Sequence, residues 1–143
     1  MKLLYKKGYK YQIAEDYRYK LPRSLCKDLV PHTPQDYLSI ETKGDDCWLV
    51  IHKGYASDGP SGPTFDTKTF MRGAFVHDAL YQMIRHGCFI DDKVARKYAD
   101  KILRDICLED GMWKVRAWWV YRSLRGFGKP AALPSHIKKI FEA

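Results

Sequence analysis

His77, Asp78 and Tyr81, with Asp58 before them and Asp100 after them, are the residues whose types and spacing suit chemistry. On a helix His77 and Tyr81 stand four residues apart and share a face, while Asp78 is turned about a quarter of the way round. Asp100 belongs to the next predicted helix, which a short connection through Gly87 folds back antiparallel, so it can meet His77 and Tyr81 across the interface. A carboxylate there accepts from the imidazole N–H and from the phenol, which leaves the other ring nitrogen as a base. That is the orienting half of a catalytic dyad.

The second pair is Asp58 and Asp78. Asp58 lies in the loop Gly54-Tyr55-Ala56-Ser57-Asp58-Gly59-Pro60-Ser61-Gly62-Pro63, where Gly59 and Gly62 permit backbone angles that turn carbonyls toward a cation. Two carboxylates and carbonyls are hard oxygen ligands, which suit Ca²⁺ or Mg²⁺ better than zinc. Ser57, Gly59 and Ser61 of the same loop are the candidates to contact substrate. A cation beside a histidine base would polarise a carbonyl or phosphoryl group.

Plainer readings compete. A His-Asp pair inside an apolar helix is more often structural. Arg96 and Arg104, four residues either side of Asp100, would draw it into a surface ion pair of little worth. His52 could serve as the earlier histidine of a metal-dependent phosphohydrolase, but it falls on a predicted strand.

The elements that must position these residues divide into strands first and helices afterwards, which predicts an α+β domain. Residues 1–53 read as strand-rich, 54–66 as the site loop and 67–143 as helical. The Tyr-rich stretch Tyr9 to Lys20 predicts one or two short strands, and Ser24 to Leu29 a turn of helix. Tyr37–Glu41 and Cys47–Ile51, joined through Gly44, predict a hairpin, so an N-terminal antiparallel hairpin or small sheet precedes a bundle of three to four helices. The first long helix is predicted to be capped by Asp66 or Thr67 and ended by Gly87; the second starts at Asp91 and turns Val94, Ala95, Tyr98, Ala99, Ile102, Leu103 and Ile106 inward. A third, from about Met112 to Arg125, is ended by the Gly126-Phe127-Gly128-Lys129-Pro130 run. A last short one follows Pro134-Ser135.

The chain has 143 residues and a net charge of +8, unevenly spread. Residues 1–30 hold eight basic against three acidic residues and 111–143 seven against one, leaving the middle at −3. Basic ends around an acidic centre suit an anionic partner: a phospholipid or membrane surface, nucleic acid, or an acidic protein. Trp113, Trp118, Trp119 and Tyr121 interleave with Lys114, Arg116, Arg122 and Arg125; the simplest placement puts these aromatics in the core and the basic residues outside. Cys26, Cys47, Cys88 and Cys107 form no Cys-x-x-Cys pair, which predicts buried thiols rather than a zinc knuckle. No stretch reads as a signal peptide or membrane span, so a reducing cytoplasm is expected, with association to a particle as the alternative.

The order Asp58-Gly59-x-Ser61-Gly62, His77-Asp78-x-x-Tyr81, then Ala99-Asp100 resembles secreted phospholipase A2, especially its short prokaryotic branch. The resemblance covers about residues 54–104. It implies a helix pair of that type, His77 as general base, Asp78 and Asp58 as Ca²⁺ ligands, Asp100 as the group that orients His77, and Tyr81 as its partner. No cysteine lies next to His77, so that family's disulfide-linked helices have no counterpart here, and the predicted N-terminal strands of this chain are foreign to that family. Over nearly the whole chain, including Tyr121-Arg122-Ser123-Leu124-Arg125-Gly126-Phe127-Gly128, the sequence resembles a family of small phage and prophage proteins defined as the 1353 domain of unknown function. That likeness implies phage origin and placement in host cytoplasm or virion.

The functional expectation is a phage-derived hydrolase with calcium-dependent, phospholipase A2-like ester hydrolysis. The alternatives are a non-catalytic virion or assembly component that docks other phage proteins, and a nucleic-acid-binding factor.

Overall fold

In the computed structural model, described here for residues 5–6, 11–31, 34–57 and 68–132, short strands precede long helices, as expected of an α+β fold. The predicted small sheet is realised as two three-stranded antiparallel sheets. One orders β1 (Tyr5–Lys6), β2 (Tyr11–Ile13) and β6 (Ala56–Ser57); the other orders β3 (Tyr17–Lys20), β5 (Asp46–Ile51) and β4 (Leu38–Lys43). The β4–β5 hairpin is tighter than expected. Lys43 pairs with Asp46, leaving a two-residue turn in which Gly44 adopts φ 61°, a left-handed conformation that costs glycine little.

The site loop is entered from a braced position. Ile13 N–H donates to the Tyr55 carbonyl, Gly54 N–H to the Ile13 carbonyl, and Ser57 pairs with Tyr11. Asp58, Gly59 and Ser61, with the predicted caps Asp66 and Thr67, lie outside the described residues, as does the predicted helix after Pro134.

Three long helices follow the short α1 (Arg23–Cys26): α2 (Lys68–Arg85), α3 (Asp92–Glu109) and α4 (Lys114–Ala132). Gly87 at φ 77° turns the chain out of α2, and the Asp91 side chain caps α3 by accepting from Lys93 N–H and Val94 N–H, a cap that stabilises by about 1 kcal/mol. The connection is clamped from the strand side, where Ile90 N–H donates to the Asp28 carbonyl and Val30 N–H to the Cys88 carbonyl. One apolar cluster runs from Ile13, Leu25, Leu38 and Leu49 into Phe75, Leu80, Met83, Ala99 and Ile106, so sheet and helices share a core. A second cluster, with Phe70, Leu103, Cys107, Ala117 and Val120, seats α4 on α2 and α3. Arg72 ties three elements together, donating to both Asp110 oxygens at 3.1 and 3.0 Å and to the Tyr17 hydroxyl at 2.9 Å.

Four expectations need correction. Cys26 and Cys47, read as thiols, are joined in a disulfide: α1 lies against β5, with Leu21 N–H on the Cys47 carbonyl, and the two Cα atoms stand 5.7 Å apart. Only Cys88 and Cys107 are free buried thiols. Val94 is exposed, because α3 turns Ala95, Ala99, Ile102 and Ile106 to the core and Val94 sits a step off that face. Helix α4 does not stop at Gly126 but continues to Ala132; glycine lowers helix stability by about 1 kcal/mol without forbidding the conformation. Last, Trp113, Trp118 and Trp119 are exposed. The inward face of α4 is made by Ala117, Val120 and Leu124, and Trp118 and Trp119 fall between these positions on the turn.

Candidate active site

Helices α2 and α3 approach closely where Gly73 lies. A Cβ built there would meet Leu103 Cδ1 at 2.6 Å and Cys107 Sγ at 3.2 Å. One turn further along α2, His77 faces Asp100 of α3, and a further turn brings Tyr81 to the same carboxylate, as the i, i+4 spacing predicts. His77 Nε2–H donates to Asp100 Oδ1 at 2.8 Å, and the Tyr81 hydroxyl donates to the same oxygen at 2.6 Å. The imidazole and phenol rings lie 4.1 Å apart between centroids. Asp100 is fully buried and His77 and Tyr81 nearly so.

A third donor comes from an element that the sequence argument did not invoke. Arg125 Nη1 of α4 donates to Asp100 Oδ2 at 2.9 Å, so both carboxylate oxygens are satisfied and the buried charge is paired. The surface ion pair expected with Arg96 or Arg104 is thereby corrected: Asp100 is buried, and Arg104 instead lies beside Asp105 and over the Tyr121 ring. Arg125 has no sequence signature, since its partner lies 25 residues away and α4 carries five basic residues.

With Nε2–H committed to Asp100, Nδ1 is the side of His77 left for proton transfer. It faces Asp78 Oδ1 at 3.9 Å, too long for a direct hydrogen bond but close enough for the charge to act. Burial alone would lower the His77 pKa; the hydrogen bond to Asp100 and the Asp78 carboxylate outweigh it, and the net result lies above the ordinary imidazole value. Burial first, then the Asp100 charge, hold the Tyr81 hydroxyl far above the usual phenol range, so it acts as a fixed donor. Arg85, two turns beyond Asp78 on α2, is also buried, and burial lowers its pKa against the opposing influence of Tyr55 and Asp78.

Of the predicted site residues, His77, Tyr81 and Asp100 are brought together and Asp78 stands beside them. Ser57 ends β6 at the loop entrance, while Asp58, Gly59 and Ser61 lie outside the described residues. Among the described residues no group of three or more His, Cys, Asp or Glu gathers as a metal centre. His52 is engaged elsewhere, with Nε2 2.9 Å from Ser39 Oγ and Nδ1 3.4 Å from Asp16 Oδ2. The remaining thiols are poor nucleophiles, since burial pushes Cys88 up to about 11 and Cys107 up to about 12.

Residues 33–124 match the family described as "Protein of unknown function (DUF1353)". The chain belongs to that family. The match is narrower than the near-complete likeness expected, leaving out β1 to β3 and ending one residue before Arg125; it contains His77, Asp78, Tyr81 and Asp100. No curated protein and no solved structure matches the chain. Among the described residues no helix is long and apolar enough to cross a membrane.

Proposed function

We propose that this chain is an ester hydrolase of phospholipase A2 type, phage-derived, in which His77 is the base. The observation that carries the reading is the 2.8 Å bond from His77 Nε2–H to a fully buried Asp100, itself held by Tyr81 and Arg125. Such a carboxylate fixes one tautomer and ring orientation, which a purely apolar contact would not do.

In the proposed reaction His77 Nδ1 takes a proton from water as the water oxygen bonds to the ester carbonyl carbon. The C–O bond to the alcohol then breaks, and the departing oxygen recovers the proton from Nδ1–H. Asp100 stabilises the imidazolium in between without accepting the proton. Ca²⁺ enters the proposal through Asp78, the one described member of the expected pair, whose partly exposed carboxylate stands beside Nδ1. Bound there, the ion would supply polarisation of the carbonyl. The described residues alone do not make up its ligand set, so the proton transfers rest on His77 and Asp100.

The test is fatty-acid release from phospholipid vesicles, with and without chelator. Wild type is expected to release fatty acid and His77→Ala to lose on the order of 10²- to 10⁴-fold in rate. No ester cleavage by the folded protein, together with specific co-purification with virion proteins that His77→Asn leaves intact, would replace this reading by the non-catalytic assembly role.

A further inference from the structure

Helix α4 carries two apolar stripes. The inner one, Ala117, Val120 and Leu124, belongs to the core. The outer one is turned away from the protein: Val115, Trp118, Trp119 and Arg122 follow at i, i+3, i+4 and i+7, with Trp113 just before the helix. Trp113 is 83% exposed, Val115 69%, Trp119 62% and Trp118 51%. Exposed indoles packed side by side, with Trp118 and Trp119 centroids 5.3 Å apart, form a patch that water solvates poorly. The charge on α4 itself has one sign, with five basic residues and no acid in Lys114–Ala132. Lys114 and Arg122 flank the indoles, the first turn of α4 holds no acid, and residues 111–143 contain seven basic residues against Glu142.

We infer that this outer stripe of α4 docks the protein onto an anionic phospholipid surface, with the three tryptophans at headgroup level and Lys114 and Arg122 on the lipid phosphates. An indole has an apolar body and one N–H donor, a combination favoured at the membrane interface, and a helix with aromatic residues and flanking Lys or Arg lies in that plane. Two other occupants fit less well. A nucleic acid would stack bases on ring faces, but Arg122 already lies 5.6 Å over the Trp118 ring and Trp119 meets Trp118 edge-on. A second copy would set this basic patch against a chain that carries +8.

The docking stands independently of hydrolysis, because the stripe faces away from the inner side on which α4 meets its neighbours. The test uses the full chain with vesicles of phosphatidylcholine, alone or mixed with phosphatidylglycerol, read by co-sedimentation and indole emission. Binding is expected on the mixed vesicles, with emission shifted to the blue and affinity falling as salt rises. The Trp118→Ala/Trp119→Ala double variant should bind roughly tenfold more weakly, since interfacial binding scales with buried apolar area. Arg122→Gln should bind about fivefold more weakly on the anionic vesicles alone. His77→Ala should bind like wild type, so a lost hydrolysis reading leaves docking intact and the reverse. The inference is overturned if anionic lipid gives no preference, or if both surface variants melt and bind like wild type. It is equally overturned if the emission shift appears instead with oligothymidine or on self-association without vesicles.

Discussion

Among the described residues, the pairs His52–Asp16 and His77–Asp100 behave differently because of what surrounds them. His52 and Asp16 meet at 3.4 Å between the end of β5 and the turn before β3; the Asp16 side chain is 60% exposed, and its other oxygen accepts Lys53 N–H at 2.7 Å. Both His52 nitrogens have partners, so the ring braces two strands and has no side left for chemistry. His77 and Asp100 meet at 2.8 Å in the core, where three donors converge on one carboxylate and the second imidazole nitrogen faces another acid. The same two residue types make a surface brace in one place and an oriented base in the other. What separates them is burial, and the number of groups that hold the carboxylate still.

Asp100→Ala is the largest way to break that contrast. It strands Arg125, His77 and Tyr81 without their acceptor and should cost about 3–5 kcal/mol of stability, measured by denaturant unfolding. The corresponding loss of the His52 brace, His52→Ala, should cost about 1 kcal/mol, the worth of an ordinary hydrogen bond. Equal costs would mean that the buried pair is no more than another brace. Gly73→Ala comes next, at about 1–3 kcal/mol, because the added methyl must displace Leu103 and Cys107 and so part α2 from α3 just where the dyad forms.

The pH dependence of the two pairs should also run in opposite directions. His77 has its folded-state value raised above 6.5, so the stability it contributes is fully present below that pH and is lost as pH rises through the folded value. Hydrolysis by His77 as a base should rise over the same interval. Asp16 is lowered from 3.8, chiefly by the Lys53 backbone hydrogen bond, so its contribution is present above that pH and is lost as pH falls through the lowered value. In Arg125→Gln, where the cation beside Asp100 is removed, the carboxylate holds the imidazolium more strongly. The His77 titration followed by NMR should therefore move to higher pH. An unmoved midpoint would show that Arg125 anchors α4 and nothing more.

The parts of this arrangement visible in the sequence are those set by local periodicity. The β4–β5 hairpin follows from alternation around a glycine, and the meeting of His77, Tyr81 and Asp100 follows from a four-residue spacing and a short antiparallel connection. Arg125 escapes such reasoning because an arginine on a third helix, among several, carries no sign of which acid it will reach. The Cys26–Cys47 bond escapes it because connectivity cannot be deduced from spacing. The tryptophans of α4 mislead in a different way. Their hydrophobicity fits a core or an outer surface equally well, and only the packing of Ala117 and Val120 against Leu103 and Phe70 decides which face turns in. The stretch with Asp58 is rich in glycines and prolines, whose angles no periodic pattern specifies, and it lies outside the described residues.

The bond between Cys26 and Cys47 gives the backbone a closed ring that holds the whole of β4 and its approach. A protease that cuts once inside that ring, after Lys27 or Lys43 for instance, therefore leaves one covalent molecule. On a denaturing gel such a nicked chain runs at full mass until a reductant is added, and only then separates into two pieces.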